Sequence, residues 1–129
     1  MYQDLIENRI ATDVLNCAFE IHKTLGPGLL ESVYEQCLAY EIALKGWKVE
    51  TQVPVPMNYK GICFEAGFRM DILVENKVVI EIKAIENLAP VHFAQTLIYL
   101  KMGDKKLALL VNFNTKLLKD GIHRIVNNL

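Results

Sequence analysis

The apolar residues of this chain change their spacing near residue 46, and that change restricts the fold more than any other feature of the sequence. Before it they recur every three or four residues, over 6–21 and again over 30–44, which predicts two amphipathic helices. Gly26-Pro27-Gly28 separates the two helices, because glycine and proline both interrupt helical structure. After residue 46 the apolar residues alternate with polar ones, as they do in β-strands.

The rest of the chain predicts strands on both sides of one further helix. Strands are expected over 49–55, over 57–64 with a turn at Lys60-Gly61, and over 68–74, 78–84 and 106–113, with a weak last strand or helix over 121–126. The helix begins at Pro90, which suits a first helical turn, and ends at Gly103. The order helix, helix, several antiparallel strands, helix, strand predicts an α/β fold in which helices flank a central mixed β-sheet.

Length and composition restrict the class of protein. The chain has 129 residues, so we expect a single domain over 1–129, and it is 52% hydrophobic and 22% charged. That composition, without any apolar run of membrane-spanning length, excludes collagen, disordered and integral membrane proteins. Acidic residues near the N-terminus are unlike a signal peptide, and three widely spaced cysteines fit neither a disulfide framework nor a zinc site. We therefore expect a cytoplasmic protein with no membrane partner.

The net charge of −1 taken alone argues against a nucleic-acid partner, since a polyanion is usually bound by excess lysine and arginine. The charges are, however, unevenly distributed along the chain. Residues 1–50 contain four basic and eight acidic side chains, whereas residues 99–129 contain six and two. This asymmetry is compatible with a local surface that faces phosphates, and equally with scattered solvated lysines.

Three charged side chains interrupt two of the predicted strands, which are otherwise strongly apolar. Asp71 lies in strand 68–74, and Glu81 and Lys83 lie in strand 78–84. A charge buried in such a setting needs a partner or a metal ion. The alternative is a solvated strand face that carries a weak surface ion pair.

Alternation along a strand determines which of these side chains share a face. Glu81 and Lys83, two residues apart, are expected on one face of their strand. Asp71 is expected on the face opposite Met70 and Ile72, which would then lie together.

The length of the loop between the two strands decides whether Asp71 meets Glu81. A two-residue turn at 75–76 would place Asp71 opposite Ile80, because a slip of one residue reverses every face. A three-residue loop at 75–77 would instead place Asp71 opposite Glu81. Two opposed carboxylates, with Cβ atoms about 5 Å apart, destabilise a sheet unless a cation lies between them.

A divalent cation would satisfy that pair of carboxylates. Mg²⁺ is commonly held by one or two carboxylates and several waters, which leaves room for a phosphate oxygen. Lys83, next along the same face, would then hold or polarise an attacking water while the metal stabilises charge that develops on phosphorus.

These residues resemble the signature of a known group of enzymes. Asp71 followed by Glu81-Ile82-Lys83 is similar to the D…E-x-K signature of the PD-(D/E)XK nuclease superfamily. The segment from Gly28 through Glu31 to Tyr34 resembles the G-x-x-E-x-x-Y motif of the GxxExxY protein family, a branch of that superfamily. Further similarity covers nearly the whole chain, in His92-x-x-Gln95-x-x-x-Tyr99-Leu100, Val111-Asn112-Phe113 and Lys119-Asp120-Gly121-Ile122-x-Arg124. One departure is Met70, which stands where the name-giving proline would precede the aspartate.

The resemblance implies a restriction-endonuclease-like fold and a metal-dependent nuclease that acts on DNA more than on RNA, with Mg²⁺ or Mn²⁺ as cofactor. It implies that Asp71 and Glu81 bind the metal together with the backbone carbonyl of Ile82, and that Lys83 is the catalytic lysine. Glu31 matches the helical acid that completes the metal site in several branches. Gln95 matches a polar residue that lines the site from the next helix.

Other interpretations of the same residues stay open at this point. Glu31 would also favour a helix N-terminus through the helix dipole, and Tyr34 is expected to be a core residue with a polar tip. The alternative function is a catalytically silent nuclease-like module that binds or regulates, with a vestigial acidic cluster. A helical stripe and exposed strand edges on so small a domain also allow a homodimer.

Overall fold

A computed structural model describes residues 5–129, apart from the side chain of Ala66. The elements in chain order are helices α1 (Ile6–Leu25) and α2 (Glu31–Leu44), strands β1 (Val49–Tyr59), β2 (Ile62–Val74) and β3 (Val78–Lys83), helix α3 (Pro90–Gly103), strand β4 (Leu107–Asn112), a 3₁₀ turn (Leu118–Gly121) and strand β5 (Ile122–Val126). The predicted order of helices and strands is confirmed. None of the helices formed by residues 5–129 is long and apolar enough to cross a membrane.

The strands form a mixed sheet in the order β1-β2-β3-β4-β5. All neighbouring strands are antiparallel except β3 and β4, which run parallel because α3 connects them across one face of the sheet. Alternate core residues of β3 and β4 pack against α1 and α2 on one face and against α3 on the other. The predicted α/β class, a mixed sheet flanked by helices, is therefore confirmed.

The first two strands are longer than the sequence predicts. Breaks are expected near residues 56 and 65–67, yet β1 and β2 run through both places as one long hairpin. Near residue 56 the register shifts between Val55 and Met57, so the strand continues but its pairing is irregular there. Pro54 and Pro56 are tolerated because β1 is an edge strand, where a missing amide need not leave a ladder bond unmade. At Gly67 a Cβ atom would lie 2.5 Å from the Val55 carbonyl oxygen, so only glycine allows this close approach.

The hairpin of β1 and β2 twists at Gln52, which is itself outside the regular pairing. It lies between Thr51, paired with Ile72, and Val53, paired with Met70, and so stands opposite Asp71. Gln52 has a φ of 52°, in the left-handed region that non-glycine residues seldom adopt. On one side of this point Ile72 packs into the core beneath α1 and α2, and on the other side Met70 packs into the core beneath α3. The expectation that Met70 and Ile72 share a face is therefore wrong, because the twist interrupts the regular alternation.

Tyr34 holds the turn between α1 and α2 in place. Its hydroxyl donates to the Gly26 carbonyl oxygen at 2.6 Å and accepts from the Leu29 amide at 3.2 Å. Its buried ring stacks on Phe113, with ring centroids 4.4 Å apart and planes 8° from parallel. The prediction of a core residue with a polar tip is confirmed, and the Gly-Pro-Gly turn is thereby tied to the residue that follows β4.

Replacing Tyr34 by phenylalanine tests the contribution of that hydroxyl. The Gly26 carbonyl and the Leu29 amide lose their shared partner, so the free energy of unfolding should fall by roughly 1–2 kcal/mol. Urea unfolding measures the change. The matched control is Tyr40→Phe on the exposed side of the same helix, where we expect a change of less than about 0.5 kcal/mol. Equal losses in the two variants would contradict this role.

Candidate functional site

The register of the β2–β3 hairpin brings the two predicted acids together. Val74 lies opposite Val78, and residues 75–77 form the connection between the strands. The three-residue loop is therefore confirmed over the two-residue turn. Asp71 and Glu81 come one position after the last pair of the ladder, and they lie opposite each other.

Each of the two carboxylates accepts a hydrogen bond from the opposite strand. The Ile82 amide donates to Asp71 Oδ2 at 2.8 Å, and the Asp71 amide donates to Glu81 Oε1 at 3.2 Å. The regular pairing of β2 with β3 is recorded only as far as Ile72 and Ile80. Side-chain oxygens thus continue the hydrogen bonding between the strands at the point where the acids meet.

Burial makes the negative charge of this pair costly. Glu81 is only 3% exposed. Its burial, and next the charge of Asp71, raise the pKa of Glu81 to about 8. Burial also raises the pKa of Asp71, although the hydrogen bond from Ile82 and the charge of Lys83 act in the opposite direction. The metal-free pair is therefore suited to accept a proton or a cation.

Lys83 is the last residue of β3, and the chain is fixed on both sides of it. Its carbonyl accepts from the Phe113 amide at 2.9 Å. Beside it on β4, the buried Asn112 side chain accepts from the Ile85 amide at 3.1 Å and donates to the Ile85 carbonyl at 2.9 Å. The positive charge of Lys83 lowers the pKa of both Asp71 and Glu81, which indicates that the ammonium group lies near the pair.

Helix α3 brings two further polar side chains to the same face of the sheet. Burial, followed by the charges of Glu81 and Asp71, raises the pKa of Tyr99, so its phenol lies within the electrostatic reach of the acids. The Tyr99 ring packs at a tilt against Phe68, with ring centroids 4.9 Å apart. Gln95 lies one helical turn earlier and is half-buried, and within residues 5–129 its side chain forms no hydrogen bond with either carboxylate.

Helix α2 carries two acids one turn apart, Glu31 and Glu35, and they differ in burial and in hydrogen bonding. Glu31 is the first residue of the helix and is exposed. Glu35 is half-buried, and its Oε1 accepts from the Gln52 side-chain amide at 2.6 Å. The same amide nitrogen lies 3.4 Å from Asp71 Oδ1. Burial raises the pKa of Glu35, and the charges of Asp71 and then Glu31 raise it further.

Sequence reasoning missed both Glu35 and Gln52. For Glu35 a signal was present, because it follows Glu31 by four residues and so lies on the same helical face. For Gln52 no local signal existed, since its position depends on the pairing of β1 with β2 and on the twist between them.

The donor atoms present suit a hard divalent cation. Within residues 5–129, no three His, Cys, Asp or Glu side chains are grouped closely enough to hold a metal ion by themselves. Asp71 and Glu81 would supply two carboxylates and Ile82 a carbonyl oxygen, with water completing the set. One or two carboxylates with several waters is the pattern in which Mg²⁺ is usually bound.

Comparison with known proteins shows a family match. The family model of the PD-(D/E)XK nuclease superfamily matches residues 8–125, a range that contains every residue described in this site. No curated protein and no solved structure matches the chain.

The buried Glu81 predicts how the stability of the metal-free protein depends on pH. A carboxyl with a pKa of about 8 when folded, against 4.5 ordinarily, stabilises the fold fully below the lower value and loses that contribution as pH rises through the higher one. The free energy of unfolding of the wild type should therefore fall with rising pH, relative to that of Glu81→Gln. The difference should amount to a few kcal/mol, since one pKa unit corresponds to about 1.4 kcal/mol.

Urea unfolding in EDTA, at intervals from about pH 5 to about pH 9, measures this difference. Glu86→Gln is the control, because Glu86 is exposed just beyond β3 and should show no such trend. A difference in unfolding free energy between the wild type and Glu81→Gln that stays constant across this pH range would contradict the buried, cation-free carboxyl.

Proposed function

Because the chain belongs to the PD-(D/E)XK nuclease superfamily, we propose that it is a metal-dependent nuclease that hydrolyses phosphodiester bonds of DNA. The observation that carries this proposal is the opposed pair of Asp71 and Glu81, with Lys83 beside it on β3. We further propose that the chain belongs to the GxxExxY branch, on the strength of Gly28, Glu31 and Tyr34.

The proposed cofactor is Mg²⁺ or Mn²⁺, held by Asp71, Glu81 and the backbone carbonyl of Ile82. When bound, such an ion supplies a Lewis acid for the phosphate and lowers the pKa of water that attacks it. Glu31 is the α2 acid that the resemblance assigns to this site. The cost of keeping both Asp71 and Glu81 charged supports a cation between these two residues, because the cation removes that cost.

The protein's own side chains supply position and charge for the reaction. The Lys83 ammonium would hold the attacking water and stabilise negative charge that develops on the phosphate. Asn112 limits the freedom of the backbone directly after Lys83, so the lysine approaches the acids from a fixed strand end. Gln95 and Tyr99, on the helix that covers this face, would line the path of the substrate.

The distribution of basic side chains supports a polyanionic substrate. Lys116 and Lys119, in the chain that follows β4, line one surface hollow together with Lys23 at the end of α1. Phe113, three residues before Lys116 in the chain, donates its amide hydrogen to the Lys83 carbonyl. Cations grouped there would bind phosphates outside the catalytic pair, in a chain whose net charge is −1.

A homodimer is also part of the proposal, since it would double this basic surface. Three large side chains that are exposed in the single chain support it: Leu30 just before α2, and Tyr40 and Leu44 within it. Sedimentation velocity distinguishes the dimer from a monomer.

Lys83→Ala separates catalysis from metal binding. The purified wild type should cut DNA in the presence of Mg²⁺ or Mn²⁺. The variant should cut at least about 100-fold more slowly, because the transition state loses a positioned charge. Calorimetry should show that the variant still binds Mn²⁺, since Asp71 and Glu81 are unchanged. Lys77→Ala, an exposed lysine in the turn of the same hairpin, is the matched control and should retain full activity.

The same measurements test the alternative, a silent binding or regulatory module. Mn²⁺ binding that Asp71→Ala leaves unchanged, together with no cleavage by the wild type, would favour that module. Equal residual cleavage by the wild type and Lys83→Ala would indicate a contaminating nuclease and contradict the role of the lysine.

A further inference from the structure

The side-chain amide of Gln52 lies between two carboxylates that come from different elements. It donates to Glu35 Oε1 of α2 at 2.6 Å, and its nitrogen is 3.4 Å from Asp71 Oδ1 of β2. An NH₂ group carries partial positive charge on two hydrogens, so one amide serves two anions at once. Gln52 therefore occupies the place between α2 and β2 that a small cation would favour.

The backbone holds Gln52 in this place. Its left-handed conformation, with φ 52°, turns β1 at the position opposite Asp71. Left-handed glutamine costs conformational energy that the surrounding structure must offset. Two charge-assisted hydrogen bonds are a direct source of that compensation.

The position of Glu35 on α2 is fixed by its neighbour in the chain. Tyr34 is anchored by two hydrogen bonds to the α1–α2 turn and by its stack on Phe113. The backbone at residue 35 is therefore set against the sheet. Glu31, one turn towards the helix start, is exposed, whereas Glu35 is half-buried.

We propose that Glu35, and not Glu31, is the α2 carboxylate that faces the cation held by Asp71 and Glu81, and that the Gln52 amide keeps the cation's place in the metal-free protein until the ion displaces it. The proposal rests on the metal site of the proposed function. It assigns Glu35 and Gln52 as positioning residues and does not require either to touch the substrate.

Conservative variants of α2 test the choice of acid. Calorimetric titration with Mn²⁺ should show that Glu35→Gln weakens binding by about 10-fold or more, as loss of a group that supports a metal site does. Glu31→Gln should leave the affinity nearly unchanged, because an exposed carboxylate one turn away is screened by solvent and salt. Glu41→Gln, nearly three turns further along α2 from Glu31, controls for the loss of a negative charge on the helix.

A variant of Gln52 tests displacement, because the proposal predicts two effects of opposite sign. Asparagine tolerates the left-handed conformation but is shorter, so Gln52→Asn cannot reach both carboxylates. The metal-free variant should melt at a lower temperature than the wild type, since Glu35 and Asp71 then repel each other without a donor between them. It should also bind Mn²⁺ more tightly, because the ion no longer displaces hydrogen bonds. Gln36→Asn, the same change at an exposed site on α2, should leave the Mn²⁺ affinity unchanged.

Each outcome either supports or overturns the proposal. Weakening of Mn²⁺ binding by Glu31→Gln that equals or exceeds that by Glu35→Gln overturns the choice of acid. A Gln52→Asn protein that binds Mn²⁺ more weakly overturns displacement, and the glutamine is then a purely structural link. A wild type that binds Mn²⁺ with the expected pattern but cuts no DNA refutes the nuclease and leaves this inference standing. A wild type that cuts DNA, combined with unchanged Mn²⁺ affinity in Glu35→Gln, supports the nuclease and overturns this inference. A wild type that binds no Mn²⁺ overturns both the nuclease and this inference.

Discussion

The opposed carboxylates of Asp71 and Glu81 are the interaction on which the rest of this structure depends. Two like charges on adjacent strands repel, and burial of Glu81 withdraws it from the water that would screen that repulsion. The hairpin tolerates the pair because each carboxylate accepts an amide of the opposite strand. Those two hydrogen bonds also fix the distance between β2 and β3 where the acids meet. The two carboxylates therefore have opposite effects on the β2–β3 hairpin. Their hydrogen bonds stabilise it, and the repulsion between their charges destabilises it.

The position of β3 in the sheet explains why the site is rigid. This strand pairs with β2 on one side and with β4 on the other, so Glu81 has backbone neighbours on both flanks. Its neighbours Ile80 and Ile82 are buried in the core beneath α1 and α2, which leaves Glu81 directed towards α3. Asn112 of β4 then binds the chain that leaves β3. A change in the core beneath β3 would therefore displace the acid, and a cation bound by the acid would in turn stabilise the core strand.

Sequence patterns were sufficient to predict those features of the fold that follow from local periodicity. Spacing of apolar residues predicted the helices, because that signal is local. The sequence left the register of Asp71 open between a two-residue turn and a three-residue loop, and the pairing of Val74 with Val78 selects the loop. The faces of Met70 and Ile72 were predicted wrongly, since a strand that pairs with a twisted neighbour does not keep regular alternation. The twist occurs at Gln52, and nothing about a glutamine favours a positive φ. That conformation depends on tertiary contacts with Glu35 and Asp71, which no local pattern contains.

Of the motif residues Gly28, Glu31 and Tyr34, the tyrosine determines which acid of α2 lies near Asp71. Successive helical residues rotate by about 100°, so Glu31 and Glu35 lie within about 40° of each other around α2 and differ chiefly by about 6 Å along its axis. Rotation alone therefore does not decide which acid meets the sheet. The axial position of α2 decides it, and that position is set where Tyr34 binds the Gly26 carbonyl and stacks on Phe113. The tyrosine thus acts on the site from a distance, because it holds α2 against the shift of about 6 Å along the helix axis that would bring Glu31 to the place of Glu35.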